Sequence, residues 1–242
     1  MKQVFVEGPV SVNQSVLLDE AQAHHLFDVL RTTSRETVRV VSGESAYLAH
    51  TEEKPSLFIF QQEIVQPRLV DVTLCFSLIK QDKFEWMLQK ATELGVSRIV
   101  PFVSRRSVVR IEPAKLTRKM QRWASILESA AKQCNRIDFV QLEPVCVLKN
   151  LEQYKSRINL VAYEKEDGSH HLANYLSDIP ESVTMVIGPE GGFDPEEIAE
   201  LQSEGFIPCY LGPQILRAET AACYVLSAVE YQTHCSCGKA ES

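Results

Sequence analysis

Long apolar runs, a phosphate-loop spacing and a second set of metal ligands are all missing from this sequence of 242 residues. No apolar stretch approaches the ~18 to 20 residues that a helix needs to cross a bilayer. The opening MKQVFVEGPV breaks into Glu-Gly-Pro too early for a secretory signal. The expected location is therefore the cytoplasm, with no membrane contact. Seven cysteines, at positions 75, 134, 146, 209, 223, 235 and 237, are odd in number, scattered and mostly set among apolar neighbours. That usage fits buried thiols in a reducing compartment rather than a disulfide framework. His234-Cys235-Ser236-Cys237 is the one cluster with ligand chemistry, and no partner pair at metal-like spacing accompanies it, so no metal is expected. Internal repeats and low-complexity segments are also lacking. A hydrophobic share of 45% with 24% charged residues is that of a globular chain able to bury a sizeable core, in one large or two modest domains.

The net charge of -7 argues at first against a polyanionic partner. Its distribution argues the other way. Lys80 to Arg136 holds thirteen Lys or Arg against five Asp or Glu, so this segment carries +8 and the remainder -15. A basic surface on an acidic protein is the footprint of a phosphate or nucleic-acid contact, and a solvated basic helix face is the plainer alternative.

Residues 1 to about 66 predict short strands at Gln3–Val6, Thr37–Val41, Ala46–His50 and Leu57–Phe60, with a turn at Ser42-Gly43-Glu44. A helix over Glu20–Arg31 interrupts them, with Leu26, Phe27, Val29 and Leu30 on its apolar side. Gln66-Pro67-Arg68 reads as a connector. These residues predict a small, mainly β, barrel-like domain over 1–70. From residue 71 strands alternate with helices. DVTLCFSLI is a strand, and Phe84, Met87, Leu88, Ala91 and Leu94 lie at helical spacing before the stop at Gly95. VSRIVPFV is the next strand. A helix over Pro113–Cys134 buries Leu116, Met120, Trp123, Leu127 and Ala130. INLVAY, VTMVIG and IPCYL supply further strands, and a last helix runs from Glu219 to about Gln232. The expected class for residues 71–242 is α/β with a mostly parallel sheet.

Ligands of such sheets gather at the carboxyl ends of strands, where IGPEGGFDPEE and LGPQILRAETA stand. The first matches neither G-x-G-x-x-G nor G-x-x-x-x-G-K-[ST], and Glu190 puts a negative charge where a phosphate needs positive partners. Gly191 and Gly192 allow a close approach to backbone. Asp194-Pro195-Glu196-Glu197 predicts a capped helix start, which leaves Pro189-Glu190 unexplained. In the second loop Arg217 and Glu219 precede an apolar helix. Two Gly-Pro loops at strand ends suggest one site.

HHLFDVLR (His24–Arg31), KATELGV (Lys90–Val96), RWASILESAAKQCNR (Arg122–Arg136), IGPEGGF and LGPQILRAETA, in this order over nearly the whole chain, resemble the RsmE family of bacterial 16S rRNA uridine-N3 methyltransferases. The resemblance implies a PUA-like β-barrel that helps hold RNA, followed by a SPOUT-class domain with a trefoil knot, one of the rare exceptions to unthreaded chains. It also implies S-adenosyl-L-methionine as methyl donor, S-adenosyl-L-homocysteine as product, a homodimer, and one uridine of 16S rRNA, free or within the small ribosomal subunit, as substrate. By their places in the matching motifs, Ile187, Gly188, Pro189, Gly191 and Gly192 of the first loop are expected to bind the cofactor. Leu211, Gly212, Ile215, Leu216, Thr220 and Ala221 of the second are expected to join them, with Tyr163 and Glu164 beyond a third strand end.

The uridine N3–H is a weak imide acid, so its proton must leave before the nitrogen attacks. Arg217 is the expected catalytic cation, steadying the uridinate oxygens. Glu190 or Glu219 orients the base or accepts the proton, or else both bond loop backbone or Arg217. The expected RNA contacts are Arg31, Lys80, Lys83, Arg105, Arg106, Arg122 and Arg136 on phosphates, with His24 and His25 either joining them or capping and packing. The sequence departs from the family at Gln214, where arginine is common, at Ser104-Arg105-Arg106-Ser107, where Thr-Glu-Arg-Ser is usual, and at Lys132, where Glu is frequent. The alternatives are a knotted methyltransferase acting at another RNA position and an inactive rRNA-binding assembly factor.

Overall fold

The computed structural model describes residues 1–66, 68–107, 109, 112–166, 168–177 and 181–237, with 236 and 237 described by backbone alone. Pro67 of the expected connector, Arg110 of the basic segment, and the side chains of Ser236 and Cys237 lie outside the described residues. Two compact units emerge. The first is Met1–Pro67 with Ser129–Phe139, and the second is Arg68–Glu128 with Val140–Ser242.

The first unit is a five-stranded sheet of β1 (Lys2–Phe5), β2 (Gln14–Leu17), β3 (Thr37–Ser42), β4 (Ser45–Thr51) and β5 (Ser56–Glu63), in the order β1-β3-β4-β5-β2. Only the β1–β3 pair is parallel. Val38, Val40, Ala49, Leu57 and Ile59 alternate inward along their strands and close over Leu26. The short, largely exposed β2 carries too little pattern to be read from sequence. The helix expected over Glu20–Arg31 is only partly α. Asp19 caps α1 (Glu20–Ala23) by accepting from the Gln22 N–H, and the chain then widens into a π-helical turn over His24–Val29. That wider winding turns Leu26 inward and leaves Val29 57% exposed, while Arg31 leaves the helix at φ +47°.

Ser129–Phe139 join this unit through specific bonds. The buried Arg39 guanidinium donates to the Asn135 carbonyl and to Gln3 Oε1, and it is held by Glu63. The Gln3 amide donates to the Arg136 carbonyl at 2.6 Å, and the rings of Phe5 and Phe139 lie 4.2 Å apart.

The second unit is a mostly parallel α/β sheet, as its alternating strands and helices predict. β6 (Asp71–Ser77), β7 (Arg98–Val103), β8 (Gln141–Leu142), β9 (Cys146–Val147), β10 (Ile158–Ala162), β11 (Ser182–Ile187) and β12 (Ile207–Cys209) lie in the order β12-β10-β11-β6-β7-β8, with β9 also on β7. Every pairing among them is parallel. Their side chains sort by parity. Leu74, Phe76, Ile99, Leu160, Met185 and Ile187 face one core with α2 (Gln81–Glu93), the N-terminal part of α3 (Pro113–Gln133) and α5 (Ala218–Cys237). Cys75, Val100, Phe102, Val161 and Val186 face the other, under α4 (Pro195–Ser203) and a 3-10 turn over Leu148–Tyr154. Burial on both faces explains why these strands read as continuous apolar runs. Within α3, Trp123, Leu127 and Ala130 are buried as the spacing predicts, whereas Leu116 and Met120 are half-buried.

Candidate active site

Three strand ends meet at one cavity of about 610 Å³, a volume usual for a small-molecule site. After β10 come Tyr163 and Glu164, after β11 the run Gly188–Phe193, and after β12 the run Tyr210–Arg217. Ile187, Gly188, Pro189, Gly191, Gly192, Leu211, Gly212, Ile215, Leu216, Ala221, Tyr163 and Glu164 all line it, as do Glu190 and Arg217. Thr220 and Glu219 do not. Thr220 is exposed on α5, and Glu219 stands behind the wall with Oε2 buried and without a hydrogen-bond partner. Ala162, Glu166, Phe193, Tyr210, Pro213, Gln214 and Ala218 complete the lining. In the sequence only their position beside the strand-end motifs marks them.

The first loop is built tightly. A β-carbon on Gly188 would stand 2.8 Å from the Phe193 ring, which stacks in the core on Phe102 with centroids 6.4 Å apart. Gly192 adopts φ +68°, and a β-carbon there would meet Glu164 Oε1 at 3.1 Å. Behind the loop, Asp194 opens α4 with a capping box. Its carboxylate accepts from the Glu196 N–H, while Glu197 accepts from the Asp194 N–H at 2.9 Å. Glu197 is buried and does more than cap, since it also accepts from the Arg105 N–H at 2.9 Å and the Ser104 hydroxyl at 3.2 Å.

Arg106 completes the clamp, donating to the Gly191 carbonyl at 3.3 Å and to Asp194 at 3.2 Å. Arg105 pairs with Glu196. The Asp194 carboxyl is held below its ordinary range, chiefly by the Glu196 N–H and further by the Arg106 guanidinium, with burial opposing. The Ser104–Ser107 segment thus braces the cavity loop. Both arginines, expected on phosphates, are also held by carboxylates about ninety positions away in the chain.

The remaining charges fall into two groups. Lys83, in the first turn of α2, lies 3.7 Å from Glu190 Oε1 and 3.6 Å from Glu219 Oε1, so both carboxylates face the same ammonium. Neither bonds Arg217, whose guanidinium makes no ion pair or side-chain hydrogen bond among the described residues. Arg122 is held in a two-point contact by Glu85, and Arg136 by Asp138 with its side chain only 10% exposed. Lys80 caps α2 by its backbone, and neither its ammonium nor the guanidinium of Arg31 has an ion pair among the described residues. His24 and Lys54 both contact Asp28, and His25 belongs to the same π-helical turn. No cluster of three metal-ligating side chains occurs among the described residues, and no helix among them is long and apolar enough to cross a membrane.

A mostly parallel sheet with a glycine-lined cavity at its carboxyl ends defines a small-molecule-binding α/β domain, and a family model described as "RNA methyltransferase domain" matches residues 66–230. Over 226 residues the chain is 32% identical to Ribosomal RNA small subunit methyltransferase E of Bacillus subtilis (strain 168), covering 88% of each. It belongs to the ribosomal RNA small subunit methyltransferase E family. Among solved structures, Ribosomal RNA small subunit methyltransferase E from Neisseria gonorrhoeae, bound to S-adenosyl methionine, superposes with a TM-score of 0.82 at 26% identity, over 96% of this chain and 97% of that one. A candidate methyltransferase from Legionella pneumophila with bound SAM gives 0.82 at 29% identity, over 95% and 96%.

Proposed function

We propose that this protein transfers a methyl group from S-adenosyl-L-methionine to N3 of one uridine in the 16S rRNA of the small ribosomal subunit. The observation that carries this reading is the convergence of both motif loops on one cavity whose lining suits the donor. Glu164, Glu166 and Glu190 contribute carboxylates against the single guanidinium of Arg217, a cation-poor wall that favours a sulfonium and disfavours a nucleotide polyphosphate. Gly188 and Gly192 stand where side chains do not fit, so backbone and Phe193 form the surface against the ligand. The donor supplies an electrophilic methyl carbon on a positively charged sulfur.

The chain's own work is positioning and charge. Gly188–Gly192 and Leu211–Leu216 hold the donor's apolar and backbone-facing parts, and the clamp from Arg106 fixes the first of these loops. Arg217, with its guanidinium unengaged by other described side chains, steadies the uridine oxygens as the imide loses its proton. Glu190, on the cavity wall, accepts that proton.

The chain passes from β10 to β11 and β12 and returns both later loops to one cavity, which supports a trefoil-knotted, SPOUT-type path. The five-stranded first unit is read as a PUA-like barrel that holds RNA, and the active form as a cytoplasmic homodimer.

The test is methyl transfer from tritiated donor to small subunits or 16S rRNA lacking the modification, followed by nucleoside analysis. Label in N3-methyluridine is the expected result. Label in a ribose-methylated nucleoside or another base, or none at all, overturns the proposal.

A further inference from the structure

Lys83 lies between two carboxylates of different origin. Glu190 belongs to the loop after β11, and Glu219 to the first turn of α5 behind the loop after β12. Glu219 is the most enclosed of the three, with its side chain 12% exposed, Lys83 is half-buried, and Glu190 stands at the exposed cavity wall, so screening is weakest at the Glu219 end. The group carries a net negative charge, and Glu219 Oε2 is buried without a hydrogen bond. Two features set this arrangement apart from a surface ion pair. Both contacts, at 3.7 and 3.6 Å, exceed hydrogen-bond length, so the ammonium is shared and not committed to either partner. An uncompensated carboxylate at Glu219 would be costly, so removing the lysine alone should disturb more than the pair itself.

We propose that Lys83 is a positioning residue for methyl transfer: it ties the two cavity loops together through Glu190 and Glu219 and holds the Glu190 carboxylate where the substrate proton is taken up. The proposal rests on the function argued above. In the step it serves, the N3–H bond of the uridine breaks and its proton passes to Glu190. The nitrogen pair forms the N–CH3 bond, and the S–CH3 bond breaks with its electrons staying on sulfur. The cationic donor and anionic Glu190 thus give a neutral thioether and a neutral carboxyl group, so charge balances. Lys83 exchanges no proton in this step and offsets the charge of Glu219 as that of Glu190 disappears.

Lys83→Met separates this role from a phosphate contact. The expected result is a fall in kcat of about a hundredfold, with the RNA KM, its salt dependence and the donor-induced rise in melting temperature unchanged. Adding Glu219→Gln to Lys83→Met should recover about tenfold of that loss by removing the stranded charge. A raised RNA KM with normal kcat would make Lys83 a phosphate partner, and a lost donor response would make it part of the cavity's scaffold; either overturns the proposal. A readout independent of turnover is the melting temperature of the four proteins in the Lys83→Met and Glu219→Gln cycle. Glu219→Gln should affect stability differently in the two backgrounds, and strict additivity overturns the link between these residues. If the wild-type protein forms no N3-methyluridine, the reading of the reaction fails while this cycle still judges the link.

Discussion

The ring of Phe193 lies 2.8 Å from the place a β-carbon on Gly188 would occupy, which makes the first cavity loop a backbone surface packed on an aromatic floor. Phe193 is buried and stacked on Phe102, so it has little room to yield. Gly188→Ala should therefore cost about 1–3 kcal/mol, the usual range for overpacking, and should reduce the donor-induced thermal shift as well. Melting curves with and without S-adenosyl-L-methionine would show both effects; unchanged curves would mean that the loop re-forms freely around a larger residue.

Arg217→Ala should leave the donor-induced thermal shift in place while turnover falls by about a hundredfold or more, the scale expected when one charge-stabilising donor is lost. Its guanidinium is free of ion pairs among the described residues, so the folded structure should lose little. Comparable single-turnover rates for variant and wild type would remove it from the chemistry.

Glu197 was legible in the sequence only as the fourth residue of a capping box. In the structure it also receives the Arg105 N–H and the Ser104 hydroxyl, so it joins α4 to the segment after β7. Glu197→Ala should destabilise the protein by about 2–4 kcal/mol, because three donors lose their buried acceptor. Chemical denaturation would measure it, and a loss under about half a kcal/mol would show that water replaces the carboxylate without cost.

Asp194 gives a pH signature. Its folded carboxyl sits below the ordinary aspartate range, first through the Glu196 N–H and then through Arg106, so its contribution is complete above the unfolded value and lost as pH falls through the folded one. From about pH 5 down to about pH 2, the melting temperature of the wild type should drop more steeply than that of Asp194→Asn. Parallel acid limbs would exclude Asp194 as a contributor. Asp28, Glu36, Glu52 and Glu85 are also held low, chiefly by side-chain hydrogen bonds from Lys54, Lys2, Ser56 and Arg122, and supply the slope both proteins share.

Thiol reactivity should follow burial. Burial pushes Cys209 up to about 12 and Cys146 up to about 11, and it raises buried Cys75 as well, whereas Cys235 is exposed. A chromogenic disulfide reagent should label Cys235 in the native protein and reach Cys75 and Cys209 only on unfolding. Rapid native labelling of Cys75 would mean that the sheet opens locally.

Strand-to-helix alternation was readable because the longer strands of the second unit are continuous apolar runs and its long helices carry a helical period. The two-residue β8 and β9 and the 3-10 turn over Leu148–Tyr154 are too short to carry either. Both cavity loops were readable because their glycines and prolines stand at strand ends. The Asp194 cap was written within four adjacent residues. What could not be read are relations between distant positions. Nothing local in Lys83 says that it faces Glu190 and Glu219, and nothing in Arg105 or Arg106 says that Glu196 and Asp194 receive them. A cluster of like charges in sequence shows nothing of the opposite charges that reach it from elsewhere in the chain. The π-helical turn failed differently, since its residues have ordinary helical character and only the left-handed Arg31 at its end marks the change.

The first compact unit is not a continuous piece of chain: Met1–Pro67 is completed by Ser129–Phe139, with the Asn135 carbonyl bonded to Arg39 and the Arg136 carbonyl bonded to Gln3. During synthesis its earliest strands must therefore wait for a segment translated more than sixty residues later. The first two strands of the second unit's sheet, β6 and β7, emerge during that wait. The two units are interleaved in time as well as in sequence, and a chain released after residue 70 would leave the buried guanidinium of Arg39 without one of its acceptors.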